Sequence, residues 1–221
     1  MRIRAFLILF VFVSTIVHSQ NISFDLGGNY GSFYDFRRDE GHFRTDYSPG
    51  FGFSCGFRVS ELRIDSLFNL QFFLGFEQYE GDFYATDGGL GGGISENGFL
   101  KKQIIDFEFY PLNIDLVPNL KFSLGMEVNF RVNQFVNGTR NQWQISEPIS
   151  PNVQLSSIDG FVRPFNCGIN AAFGYEFQVG QLIFKPYYKY FIGITQEFDY
   201  IQSHARAHRH VFLLGIGYSF R

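Results

Sequence analysis

Apolar and polar side chains alternate with a period of two along most of this chain. The clearest run is Leu120 to Asn133. Leu120, Phe122, Leu124, Met126, Val128, Phe130 and Val132 share one parity; Lys121, Ser123, Gly125, Glu127, Asn129, Arg131 and Asn133 share the other. A period of two is the mark of a β-strand with one apolar face. The same pattern predicts strands near 22–30, 50–60, 68–77, 99–110, 165–177, 182–195 and 208–221. Phe73, Val211 and Leu213 break the polar parity. Pro186 lies inside a predicted strand, where it removes a ladder donor, so a bulge is expected there.

The connections between these eight strands alternate long, short, long, short, long, short, long. The long ones are expected at 31–48, 79–98, 134–160 and 196–207, and a proline-bounded turn at 111–119. Up-and-down barrels with long loops at one end and short turns at the other have this rhythm. No internal repeat is visible. The Gly-rich stretch Asp87 to Gly93 fits neither a dinucleotide fingerprint nor a P-loop, and is read as a flexible loop.

Composition then decides which face is which. Aromatics make up 19% of the chain, with thirty Phe, and there are twenty-four Gly. Such a mixture suits a wall of bulky rings on one side and small residues on the other, not helices. The non-apolar parity carries Asp25, Arg58, Glu77, Asp106, Glu108, Lys121, Glu127, Arg131, Glu176, Lys185, Lys189 and Arg209. These six acids and six bases can pair inside a lumen. The bulky residues would overfill an eight-strand interior but have unlimited room against lipid. The expected fold is therefore an all-β, eight-stranded antiparallel up-and-down transmembrane β-barrel with a closed, charge-paired lumen. Tyr30, Tyr79, Trp143, Phe198 and Tyr200 are expected in an aromatic belt at the outer rim, and Tyr110, Phe177 and Phe220 at the inner one.

The first nineteen residues read as a secretory signal peptide. Arg2 and Arg4 precede an apolar run from Ala5 to Val17, and Val17-His18-Ser19 resembles a cleavage site. The run is short for a spanning helix, which needs about 18 or more apolar residues. Residues 20–221 form one domain on this reading. Cys55 and Cys167 fall on outward parities of non-adjacent strands and are expected as free thiols. Net charge is only -3, which gives no argument for nucleic acid.

Two resemblances sharpen the location. The terminal run HRHVFLLGIGYSFR resembles the C-terminal signal strand of bacterial outer-membrane barrels, which the insertion machinery recognises. Ile104 to Asn133, with its Tyr110-Pro111-Leu112 step and Leu124-Gly125, resembles the central hairpin of PorT-like outer-membrane barrels of Bacteroidetes-type bacteria. That resemblance implies a single eight-strand barrel in the outer membrane. Some members of the family are linked to secretion or gliding machinery, and it supplies no catalytic residues.

Candidate chemistry is sparse. His204, Arg206, His208, Arg209 and His210 cluster near the outer rim and are candidate contacts for lipopolysaccharide phosphates. A metal reading of the histidines lacks a carboxylate or Cys to complete a ligand set. Ser203, His204 and His42 are the residues a lipid-modifying enzyme could use, but no orienting group accompanies them. No cofactor is expected. The expected partners are outer-membrane lipid and lipopolysaccharide, the barrel-insertion machinery, and envelope proteins. A structural or interaction role leads, with an outer-membrane lipid-modifying enzyme and a secreted soluble ligand-binding barrel as alternatives.

Overall fold

A computed structural model describes residues 21–35, 43–65, 68–89, 92–144, 147–154, 163–197 and 205–220. The signal peptide, His42, Ser203 and His204 lie outside these residues, as do Phe198 and Tyr200. Ten strands follow one another: β1 (Asn21–Asp35), β2 (Phe43–Asp65), β3 (Phe68–Gly89), β4 (Gly92–Val117), β5 (Leu120–Gln144), β6 (Glu147–Gln154), β7 (Phe165–Tyr175), β8 (Phe177–Val179), β9 (Leu182–Gly193) and β10 (Ala205–Ser219). Eight of them form the wall, in the order β1-β2-β3-β4-β5-β7-β9-β10. Antiparallel pairing of β10 with β1 closes the ring, from Asn21 opposite Ser219 to Asp35 opposite Ala205. β6 pairs only with β5, and β8 continues the β7 hairpin onto β9. The fold is the expected all-β, up-and-down barrel.

Closure leaves each strand two faces, and burial follows parity. Along β9 the pattern alternates from Leu182 to Gly193, with Ile183, Lys185, Tyr187, Lys189 and Phe191 inward. Leu26, Phe57, Met126, Ile169, Phe212 and Ile216 point outward and are exposed. Cys55 and Cys167 are free and half-buried, as expected of outward thiols. A soluble barrel would show the opposite arrangement, with charges outside and rings inside.

The strands run further than alternation suggested. β3 and β4 stay paired to Gly89 opposite Gly92, and β4 and β5 to Gly92 opposite Gln144. The expected loop at 79–98 is thus a strand hairpin, and much of the expected loop at 134–160 is strand as well. β1 and β2, by contrast, part at Gly31 and Gly50. β2 itself stays paired with β3 up to Phe43 opposite Asp87, and this β2–β3–β4–β5 extension projects roughly 25 Å beyond that level at about 3.3 Å per residue. Outside lipid neither face must be apolar, so these strands carry polar residues on both parities and lose the period-two signal.

At the other end the proline-bounded turn is also strand. β4 continues through Pro111 to Val117, with a register shift between Phe109 and Leu112, and turns on Pro118-Asn119. Asn119 has φ 70, a left-handed conformation that Asn tolerates better than most residues. Pro186 causes no bulge on its β10 side, where it stands opposite Leu214 in unbroken register. On the other side the wall strand is interrupted at Glu176, between β7 and β8. The missing N–H of proline shows there as a gap in the ladder, because Tyr175 and Glu176 have no partner on β9.

Candidate functional site

Charged residues fill the lumen in layers. The central layer is built around Lys189 of β9. Its ammonium donates to Glu77 at 2.9 Å and Glu127 at 3.0 Å, and also to Glu108; Asp106 lies farther off at 3.9 Å. Arg209 of β10 reaches Glu77 at 3.0 Å and Glu127. Its guanidinium lies 4.1 Å from the Phe191 ring centre and 5.1 Å from that of Tyr79. On β2, Arg58 donates to Asp25 at 2.5 Å and lies 4.1 Å from the Tyr187 ring and 4.7 Å from the Phe73 ring. Tyr110 donates to Glu108 at 2.7 Å. Every one of these residues is buried. A charge removed from water must be paired and hydrogen-bonded, and aromatic faces add to the stabilisation of a desolvated guanidinium.

A lower layer faces the end with the short turns. Lys121 donates to Glu61 at 3.0 Å and Glu176 at 3.1 Å, and Lys185 donates to Gln71 at 3.3 Å. Above the centre, Glu197 accepts from Tyr79 at 2.5 Å and from Lys102. An apolar cluster of Phe33, Tyr79, Phe83, Leu100, Ile104, Val136, Phe191, Ala205 and Ala207 then closes the outer end. A second cluster, Tyr110, Ala172, Tyr187, Val211 and Leu213, packs lower down and accounts for the parity breaks at Val211 and Leu213. Phe73, the third break, supports Arg58.

Eleven of the twelve charged residues expected in the lumen network join these layers. Arg131 is half-buried near the outer end and donates to Gln134 at 2.8 Å. Period-two reading missed Lys102, Glu61 and Glu197. Lys102 lies inside the strand expected at 99–110 and keeps the inward parity of Asp106 and Glu108, so the same parity carried back four residues finds it. Glu61 sits at a register shift of β2, with φ 61, and Glu197 lies beyond the end of β9, and at neither does periodicity assign a face. Tyr79 and Tyr110 correct the aromatic belt. Both are buried in the lumen, because their odd and even positions match Glu77 and Glu108 and not the outward rings. Tyr30, Phe177 and Phe220 are exposed on the outside, as expected.

The histidine-rich rim divides between faces. Arg209 points inward and is fully buried, so it does not belong to an outward phosphate-binding group. Arg206, His208 and His210 share the opposite parity of β10 and are half-buried. His210 Nδ1 lies 2.8 Å from the Tyr188 hydroxyl, and its ring stands 4.9 Å from Tyr190. The His208 and His210 rings are 6.3 Å apart and Tyr34 lies 5.9 Å from His208. The result is an outward imidazole and phenol stripe over Tyr30, Phe51 and Phe212. Rings with a polar tip suit the boundary between lipid and water.

Glu77, Asp106 and Glu108 each place one oxygen within 4.8 Å of the others. Such a cluster resembles a hard-cation site, but the Lys189 ammonium already holds two of the three carboxylates. The arrangement is that of a packed ion-pair core.

An apolar outer wall around a charge-filled, closed lumen defines a transmembrane β-barrel of eight wall strands. No family model and no curated protein matches the chain. Among solved structures it is similar to neisserial surface protein A, with 11% identity, a TM-score of 0.40, and 90% of this chain and 97% of that one covered. It is also similar to Ail, the attachment invasion locus protein of Yersinia pestis (9% identity, TM-score 0.37, 90% and 99% covered). OprG, an outer membrane protein from Pseudomonas aeruginosa, gives 10% identity, a TM-score of 0.37, and 92% and 98% covered.

Proposed function

We propose that this chain is an integral outer-membrane protein that acts through its surfaces, as a structural or interaction component of the cell envelope. The observation that carries the reading is the orientation of the faces. Rings and aliphatics meet the surroundings, while Lys189, Arg209, Arg58 and their carboxylates are sealed inside. A lumen closed by side chains leaves no diffusion path. What remains for contact is the outer stripe, the projecting β3–β4–β5 hairpins and the short turns. On this reading Arg206, His208 and His210 are the contacts for lipopolysaccharide phosphates, and β10 is the strand that the insertion machinery takes up. The hairpins present paired strands to an envelope partner, and the PorT-like resemblance makes secretion or gliding components the first class to try. No catalytic role is proposed.

The test is fractionation followed by gel mobility with and without boiling in detergent. The protein is expected in the outer-membrane fraction, and to run faster unheated. Recovery from the soluble periplasm, with mobility unchanged by heat, would overturn the reading.

A further inference from the structure

The charges in the central lumen do not balance. Asp25, Glu77, Asp106, Glu108 and Glu127 face three cations of the same layer, Arg58, Lys189 and Arg209, with Lys185 next below them in the lower layer. All nine residues are buried, each no more than 5% exposed. Four of the carboxylates have a hydrogen-bond donor. Asp25 has Arg58 and the Ser23 hydroxyl, and Glu77 has Lys189 on one oxygen, with Arg209 beside the other as an ion pair. Glu108 has Lys189 and Tyr110, and Glu127 has Lys189 and Arg209. An ammonium has three N–H donors, and Lys189 directs its three at Glu77, Glu108 and Glu127.

Asp106 is the carboxyl left over. Neither of its oxygens has a hydrogen-bond partner, and it is 0% exposed. On β3 it stands opposite Gly75, which offers no side chain. On β5 it stands opposite Asn129, whose Oδ1 is also buried and also lacks a donor. Directly opposed side chains on one sheet face lie about 5 Å apart at Cβ. Two buried acceptors therefore face each other with no donor between them, in a layer where carboxylates outnumber cations. An ionised, unsolvated carboxylate there would carry the full desolvation penalty.

We propose that Asp106 holds a proton at neutral pH and donates it to Asn129 Oδ1, so that the lumen core is a buried proton-binding site. One proton neutralises the carboxyl that no hydrogen-bond donor serves and gives the two acceptors one donor to share. A metal ion would meet the same count less well, because the Lys189 ammonium stands 3.9 Å from Asp106. The titratable and charged groups around this proton are Asp25 on β1, Arg58 on β2, Glu77 and Tyr79 on β3, Glu108 and Tyr110 on β4, Glu127 on β5, Lys185, Tyr187 and Lys189 on β9, and Arg209 on β10, with neutral Asn166 and Asn170 on β7.

The native barrel then keeps a proton that the unfolded chain releases well below neutral pH. Raising pH must therefore favour unfolding, by up to tenfold in the folding equilibrium constant per pH unit for this one group. Infrared spectra of the refolded full barrel in detergent at neutral pH are expected to show the carbonyl stretch of a protonated carboxylic acid, and Asp106→Asn to remove it. Urea unfolding across neutral to mildly alkaline pH is expected to lose that tenfold per unit in the parent relative to Asp106→Asn. Absence of the acid carbonyl from the parent would overturn the proposal without any variant, and would mean an ionised Asp106 served by water or a turned Asn129 amide. A band that survives Asp106→Asn and vanishes in Glu77→Gln would also overturn it, by placing the proton on Glu77. If Asp106→Asn does not refold, the parent spectrum in neutral and alkaline buffer still decides.

Discussion

Lys189 is the residue on which the largest number of buried charges depends. Replacing it with methionine keeps the stem and removes the ammonium, which strands three carboxylates that its donors now serve. Breaking a buried ion pair by removing one partner costs about 3–5 kcal/mol. Lys189→Met is expected to lose at least that much in urea unfolding. A loss below about 1 kcal/mol would show that water reaches these carboxylates. Lys101, paired with Glu80 at 2.9 Å on the outside, makes the control. Its salt bridge is solvent-exposed, and Lys101→Met is expected to change stability by less than about 1 kcal/mol. The chemical identity of Lys189 was plain from its parity, but its centrality was not. Four strands must close around it before Glu77, Glu108 and Glu127 converge on one nitrogen.

Among the elements, the β4–β5 hairpin joins the two longest strands and turns on two residues. Val117 is opposite Leu120, so Pro118 and Asn119 make the whole turn. Asn119 adopts φ 70. A β-branched residue pays about 1–2 kcal/mol to occupy that region, whereas glycine pays none. Asn119→Val is expected to lower the urea midpoint by that amount and Asn119→Gly to leave it close to the parent. Equal effects from both would mean that the turn relaxes into another form. At its other end the same hairpin shows how periodicity can mislead. A register shift sets Gln103 opposite Asn133 but Ile104 opposite Arg131, leaving Val132 as the extra residue on β5. The inward parity of β5 therefore changes from odd at Asn129 to even at Val136. No pattern of single residues marks such a bulge, because it is set by the strand beside it.

For the whole molecule, the opposition of the two faces governs stability. Met126 is exposed midway along the alternating part of β5, Leu120 to Asn133, level with the middle of the apolar band on the reading given above. An arginine at such a depth costs about 2–4 kcal/mol in a bilayer. Met126→Arg is expected to show that loss in lipid vesicles. Asn137→Arg, on the exposed projecting part of the same strand, is expected to be close to neutral. Similar costs at both positions would place the membrane boundary elsewhere.

The number of wall strands, their faces and the charged character of the lumen were determined by the sequence alone. Lipid demands an apolar residue at every second position, so alternation records the membrane span residue by residue. Where lipid ends, the demand ends too, and the projecting hairpins read as loops although their backbones stay paired. Only closure of the ring decided which charges meet, that Tyr79 and Tyr110 turn inward, and that Arg209 serves the core and not the rim. Those outcomes depend on contacts between strands far apart in the chain. The excess of carboxylates around Asp106 is of the same kind, because it exists only once all eight wall strands face a common interior.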